Sequence, residues 1–480
     1  MLRDRYSWIA VVLFILGLWL CLTPNQAHTV ASFTRQTGMD CSACHTIFPE
    51  LTPVGRNFKL NGFTASKHTD KPYEWPPPVA GGLRFSFTHL NKDMPAGSFD
   101  PTFRANDNVG APELVTAWYG GRIYGEHLGA LAQGSYNGLS NKFFWDVTDI
   151  RLVQKTELFN KNLVLGLTIN NAPTASDVLN TTNVWGFPQG APTGGSTALT
   201  PKASPMIEGI LIQQVGGIGA YFYWNNLLYM EGAAYRTART GPTQFLGAGT
   251  VTTTPTQDVS PYWRMFLQHQ WGRNSLAVGH YGLVTRVLSP KLFAIDVNGN
   301  LIPNLVDTRG PIDRFTDIAF DAQYQFIGKK HLLTAQTTYI HEDQRLNNTF
   351  SLGGSTTSAN WLDKYKINVN YYYRTSDWGT LGGTVAYVNL WGRGDPLLYP
   401  VGLGTGSRVH KPNSDYWIFE FDYVPWWKQF VSKLTIQYTV YSHFNGSRSL
   451  YDGEAVDTFP YPQRKASQNN SLYLLITQNF

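Results

Sequence analysis

In the stretch GMDCSACHTIFPELTPVGRNF, residues 38–58, Cys41 and Cys44 are followed at once by His45. Thiols at this spacing can close a disulfide, shuttle electrons as a redox pair, ligate zinc or, with the adjacent imidazole, carry a c-type haem. An oxidising compartment would allow the disulfide. A redox CxxC is expected within a βαβ pattern, and none surrounds this one. Zinc needs further Cys or His at close spacing, and the other histidines are distant. No cysteine follows Cys44, so a single covalent haem is the chemistry this motif supports best.

The segments around the motif define its setting. Arg3 and Arg5 precede an apolar run from Trp8 to Leu22, with small residues at Ala27 and Ala31. This is the layout of a cleaved secretory signal, residues 1–31; a single membrane anchor is the competing reading. Cys21 follows Leu20 rather than a small residue, so it reads as part of the signal. Residues 32–71 form a small α-helical domain. In LTPVGRNFKLNGF, Thr52 is an expected N-cap, Pro53 the first helical residue and Asn61-Gly62 the stop. Val54 and Phe58 then share a face, and Phe48, Leu51, Phe58 and Phe63 could cover one side of a haem or pack on a neighbour. Three consecutive prolines, 76–78, mark a stiff linker over residues 72–80.

The other 400 residues, 81–480, carry a different signal. The chain has 14% aromatic residues, 45 glycines and only 15% charged residues, against about 25% charge in an average soluble domain. No apolar run of about 20 residues follows position 22, which excludes a helical membrane protein. Period two dominates instead. In RFTDIAFDAQYQF, Thr316, Ile318, Phe320, Ala322, Tyr324 and Phe326 share one face, and Asp317, Asp321, Gln323 and Gln325 the other. One face suits lipid and the other suits water. KYKINVNYYY, KLTIQYTVY and WIFEFDY repeat the scheme, the last with Glu420 and Asp422 opposite Phe419 and Phe421.

Short turns alternate with long polar stretches, and the last residue is the aromatic Phe480. The fold class is therefore mainly β: a transmembrane antiparallel β-barrel of about 16 strands with both ends on the short-turn, periplasmic side, preceded by the haem domain. A soluble sandwich is the alternative. The net charge of +5 forms no basic stripe, so no nucleic-acid partner is expected.

The run RQTGMDCSACHTIFPELTPVGRNFKLNGF, residues 35–63, resembles the outer-membrane fused cytochrome-porins of iron-oxidising bacteria, which share the order signal, monohaem domain, barrel. Val54 stands where many relatives have an aromatic. The resemblance implies one haem c, thioether links to Cys41 and Cys44, and His45 as proximal iron ligand. It also implies a one-electron oxidoreductase of the Gram-negative outer membrane that takes electrons from extracellular Fe(II). The acceptor would be a periplasmic cytochrome c or copper protein, and the haem domain would be periplasmic or within the lumen.

The alternatives are a diffusion porin whose haem domain is a plug or redox-gated regulator, and outward delivery of electrons. With one haem, donor and haem must meet within the barrel, so the domain is expected to plug the mouth, where a barrel of this size has room. Met39, His68, His89 and Met94 are open candidates for a sixth ligand. Arg35, Arg56 and Lys59 could pair with propionates or be solvated. Asp317, Asp321, Glu420 and Asp422 could guide Fe(II) or simply solvate the lumen; no iron site is assigned.

Overall fold

The computed structural model describes residues 32–68, 70–182, 197–237, 246, 254, 256–287, 294–295, 301–302, 311–375, 378–425, 432–449 and 464–480. The signal segment, residues 1–31, lies outside them, as does most of the turn read at 425–429.

Alternating apolar and polar residues put successive side chains on opposite faces of a strand, and the strands follow that pattern: β1 (Val79–Leu90), β2 (Asn108–Tyr124), β3 (Leu128–Asn137), β4 (Lys142–Leu158), β5 (Lys161–Asn170), β6 (Gly216–Trp224), β7 (Leu228–Arg236), β8 (Ser260–Trp271), β9 (Asn274–Val287), β10 (Ala294–Ile295), β11 (Leu301–Ile302), β12 (Asp313–Ile327), β13 (His331–Leu346), β14 (Ala359–Arg374), β15 (Thr380–Gly392), β16 (Ser414–Val424), β17 (Ser432–His443) and β18 (Ser471–Asn479). β10 and β11 form a separate two-stranded hairpin; the other sixteen close into one antiparallel barrel. The expected strand number is the observed one.

Seven short connections lie on one rim, and both ends of the barrel chain meet there. β1 pairs with β18, Gly82 opposite Asn479. The last residue locks this seam: Phe480 N–H donates to the Gly81 carbonyl at 2.9 Å, and Gly81 N–H donates to that of Phe480 at 2.7 Å. A Cβ on Gly81 would stand 2.6 Å from the Phe480 ring, so glycine lets that ring lie over the seam.

The faces divide as the period demands. Ile318, Phe320, Val369, Phe419, Phe421 and Ile436 point outward and are exposed, whereas Asp317, Asp321, Gln323, Gln325, Glu420 and Asp422 point inward. A closed barrel satisfies its backbone groups between strands, and its outer apolar band is matched to lipid. The inward face departs from expectation. Much of it meets protein rather than open water: the plug expected at the short-turn mouth is there, and part of the β5–β6 connection, which reads as a long polar stretch, also folds into the lumen.

That connection is built for burial. Ala172, Ala175, Val178 and Leu179 are almost fully buried, and Ile207, Leu211 and Val215 pack with Tyr235, Tyr262, Tyr281 and Leu283 of the wall. Its charges are compensated, as burial requires: Asp177 and Asp321 both pair with Arg264, at 3.0 and 2.6 Å. Glu208 pairs with Lys364 and Lys366. Among the described residues lie two neighbouring cavities, of about 210 and 280 Å³. Both lie against the β14–β16 wall, lined by Lys364, Val388 and Tyr416 among others.

Burial alone would raise the Glu208 carboxyl, but Lys364 and Lys366 override it and hold it at about 2. A carboxyl depressed below its unfolded value of about 4.3 stabilises the fold above that pH, and loses its contribution as pH falls toward 2. Hydrogen exchange of residues 204–215, corrected for intrinsic rates, is therefore expected to rise as pH drops from about 4.5 to 2. In Glu208→Gln the rise is expected already at neutral pH.

Candidate functional site at the barrel mouth

The CxxCH motif sits on a short helix, Cys41–Cys44, whose single turn is closed by His45 N–H donating to the Cys41 carbonyl at 2.9 Å. Three residues apart on one helical turn, the two sulfurs share a side. Neither thiol is in a disulfide, and both are partly accessible. Burial pushes the Cys44 thiol up to about 11 and raises that of Cys41. The Cys41 sulfur lies 3.4 Å from the Thr34 hydroxyl.

His45 starts a tight reversal. It bridges to Leu51, and Thr46 N–H donates to the Glu50 carbonyl at 3.3 Å. Burial pushes the His45 imidazole down to about 4, against backbone hydrogen bonds with Glu50 and Pro49. It is therefore neutral at ordinary pH, the form that ligates metal. The Phe48 ring stands 5.4 Å from the His45 ring.

Thr52 joins this turn to the next helix, Pro53–Leu60. Its hydroxyl donates to the Ala43 carbonyl at 2.6 Å and accepts from Gly55 N–H at 3.2 Å, so the expected N-cap also ties down the thiol-bearing turn. Gly55 completes the junction. A Cβ there would lie 2.3 Å from the Cys44 carbonyl oxygen, so the helix approaches the CxxC backbone only with glycine. Two thiols outside any disulfide on one turn, a neutral histidine next in sequence and a backbone packed beneath them fit a covalently attached haem c.

The helix face differs from expectation. Phe58 is buried, but Val54 is half exposed; Phe58 packs instead with Phe33 and Phe63, at ring-centroid distances of 5.1 and 6.0 Å. Leu51 packs on a cluster that includes Tyr221, Tyr229 and Phe266 of the wall. Of the four residues offered as a haem cover, Phe48 sets its ring beside that of the motif histidine and Leu51 bridges to its backbone.

Arg56 anchors the domain in the lumen. Its guanidinium donates to Gln268 (2.7 Å) on β8, Ser275 (3.2 Å) on β9, Gln323 (2.6 Å) and Gln325 (2.9 Å) on β12, and its own domain's Leu51 carbonyl (2.8 Å). Burial lowers it to about 10, so it remains a cation. Lys59 donates to the Ala175 carbonyl of the infolded connection and stands 3.9 Å from Asp149. Tyr221 donates to the Leu60 carbonyl at 2.8 Å. On the opposite wall, Ile47 packs against Leu332, Tyr372 and Val424, and Asn370 donates to Glu50 at 3.3 Å. The linker is fastened too, by Glu74 with Arg122 at 2.6 Å and by the Pro78 carbonyl with Gly120 N–H at 2.8 Å.

These contacts reassign several candidates. Arg56 and Lys59 hold the plug in the barrel, and Arg35 donates to the Val79 carbonyl. His89 and Met94 belong to the long-loop rim, a strand length from the motif: His89 pairs with Asp107 at 2.7 Å, and Met94 N–H donates to the Ala105 carbonyl at 2.9 Å. Met39 and His68 stay at the mouth, with His68 exposed. Asp321, Glu420 and Asp422 are held by basic groups, Lys433 lying 3.5 and 3.1 Å from the latter two. Among the described residues no cluster of three or more His, Cys, Asp or Glu side chains is placed to hold a metal ion. The plug's wall partners on β8 and β9 escaped sequence reasoning. Their only signal was an inward polar side chain.

No family model matches the chain, and no curated protein matches it. Among solved structures it is similar to an anion-selective porin from Comamonas acidovorans, with a TM-score of 0.43 and 10% identity over 84% of this chain and 98% of that one. It is also similar to the outer-membrane channel DcaP of Acinetobacter baumannii (TM-score 0.40, 11% identity, 84% and 96% covered). A third is OmpT of Vibrio cholerae (0.38, 10%, 84% and 97%). The closed sixteen-strand wall with its apolar exterior decides the class. The chain is a membrane-type sixteen-strand β-barrel.

Two substitutions test the mouth of this barrel. Gly55→Ala overpacks the junction at a cost of about 1–3 kcal/mol, and is expected to lower haem content per folded barrel, read by haem absorbance against protein. Arg56→Ala leaves barrel acceptors unpartnered at about 1–3 kcal/mol each; faster proteolysis within residues 32–80, with the barrel intact, is the expected result.

Proposed function

We propose that this protein is an outer-membrane electron conduit, an Fe(II)-oxidising cytochrome with extracellular Fe(II) as donor. A single haem c on Cys41 and Cys44, with His45 as iron ligand, would sit at the periplasmic mouth, and a periplasmic cytochrome c or copper protein would accept the electron. The observation that carries the reading is where the lumen cavity stands relative to the CxxCH segment. The 210 Å³ cavity is lined by Gln336 and Asn368, which face each other across β13 and β14. Two residues nearer the mouth the opposed pair is Thr334 and Asn370, and Asn370 donates to Glu50 in the reversal that follows His45. The cavity thus stands one opposed pair above the contact with the segment that follows His45.

A bound haem c supplies a one-electron couple whose potential follows its axial ligands, nearby hydrogen bonds and burial. The chain's residues set those conditions. Burial keeps His45 neutral, Thr52 and Gly55 fix the turn that bears the thiols, and Arg56 holds the module against the wall. Oxygen-rich lumen surfaces suit a hard or borderline cation.

The porin-like barrel itself favours a second reading, a diffusion porin with residues 32–71 as plug or redox-gated regulator. One preparation separates the two. Oxidised protein in proteoliposomes, mixed anaerobically with Fe(II) on the long-loop side, is expected to show rapid stoichiometric haem reduction with little ion conductance. Conductance that changes with haem oxidation state, and no reduction by Fe(II) where dithionite succeeds, would select the porin reading. Outward delivery would appear as reoxidation of reduced haem by an acceptor on the long-loop side.

A further inference from the structure

The two lumen cavities meet at a charged part of the wall. Both are lined by Ser204, Lys364 and Tyr416. The 280 Å³ cavity reaches toward the long-loop rim, against Leu390 and Tyr441 near the ends of β15 and β17. The 210 Å³ cavity lies deeper, against Gln336 and Asn368. Charge at their junction does not cancel. Glu208 is the ion-pair partner of both Lys364 and Lys366, and among the described residues neither lysine pairs with a second carboxylate. Two ammonium groups therefore share one carboxylate, and a net positive charge faces the space.

The polar groups beside these lysines are left unsatisfied. Asn180 of the infolded connection lines the 210 Å³ cavity and is 6% exposed, yet neither polar atom of its side-chain amide has a hydrogen-bond partner. The side-chain amide nitrogen of Asn368, next to Lys366 on the inward face of β14, is likewise buried without an acceptor. Leaving such a group unpaired costs about 1–3 kcal/mol, so the cavity offers a ligand more than its walls use. Across the ladder the lining turns apolar. Val388 stands opposite Lys366, Ala386 opposite Asn368, and Ile418 opposite Ala386; all three line the same cavity. An apolar lining with a few convergent polar groups is the make-up of a small-molecule site. A cavity of about 150 Å³ admits a benzene ring, so this one takes a ligand of that size or slightly larger.

We propose that the 210 Å³ cavity binds a small organic carboxylate entering from the long-loop side. Its carboxylate group is taken by Lys366, Asn180 and Asn368, and its apolar body lies on Ala386, Val388 and Ile418. The site belongs to the wall and the infolded connection and does not depend on the haem reading. If the barrel is an electron conduit, a seated carboxylate also offsets the lysine charge that an entering cation would meet.

The test is a fluorine NMR titration of para-fluorobenzoate with the purified full-length barrel in a zwitterionic detergent, with empty micelles as the blank. Saturable binding at a single site per chain is expected. Lys366→Gln, which leaves Lys364 to neutralise Glu208, is expected to weaken it about tenfold or more, as loss of a hydrogen bond to a charged group does. Asn180→Gly keeps a backbone whose φ is 57° and removes the amide; it is expected to bind several times more weakly. Lys155→Gln, at an exposed lysine of β4, and Cys41→Ser/Cys44→Ser, which cannot carry the haem, should bind as the unaltered chain does. The uncharged para-fluorobenzamide should show no saturation. Heat-modifiability on a gel reports that each variant forms its barrel. Absence of saturable binding, equal binding in all chains, or binding of the amide as tight as that of the carboxylate would each overturn the assignment.

Discussion

The arrangement depends on one buried cation held by neutral groups. Arg56 enters the barrel without a carboxylate in hydrogen-bond contact. Its charge is spread over three glutamine carbonyls, a serine hydroxyl and a backbone carbonyl. A guanidinium presents its donors in a rigid planar fork, so acceptors on β8, β9 and β12 can be met at once only in one orientation of the helix that carries it. That orientation fixes Gly55, one residue earlier, and with it the Cys41–Cys44 turn. The CxxCH turn is thus positioned by the barrel wall, which is how a domain with so small a core of its own keeps a defined geometry.

Charge compensation also explains why the lumen is filled rather than open. The wall carries acids and bases at many inward positions, and buried charges persist when paired. The infolded connection contributes Asp177 to Arg264 and Glu208 to Lys364 and Lys366, while Lys59 of the plug reaches the Ala175 carbonyl of that same connection. Plug and connection therefore support each other. Moving the connection would take Glu208 from Lys364 and Lys366, and moving the plug would take Lys59 from the Ala175 carbonyl.

Much of this was legible in the sequence. Period-two alternation fixes the face of each strand, and the rhythm of short and long connections leads to sixteen strands and to the rim where both ends meet. The N-cap at Thr52 and the stop at Asn61-Gly62 follow from local chemistry. What the sequence could not disclose are partners far apart in the chain: Arg56 with Gln268 and Gln325, or Asn370 with Glu50, join positions more than 200 residues apart. The inward course of residues 172–182 was hidden for a related reason. A polar stretch between strands reads as a loop over the rim, and only the buried Val178 and Leu179 mark it as a segment that needs cover. Lumen water was assumed from polar inward faces, but those faces are equally suited to hydrogen bonds with a folded insert.

The insert divides the barrel laterally. Plug helix and infolded connection press against β4 to β9 and β12, where the large clusters of buried tyrosine and aliphatic side chains form. The cavities lie across from them, along β14 to β16. The plug meets both sides of the wall below them, through Arg56 on β8, β9 and β12 and through Ile47 on β13, β14 and β16.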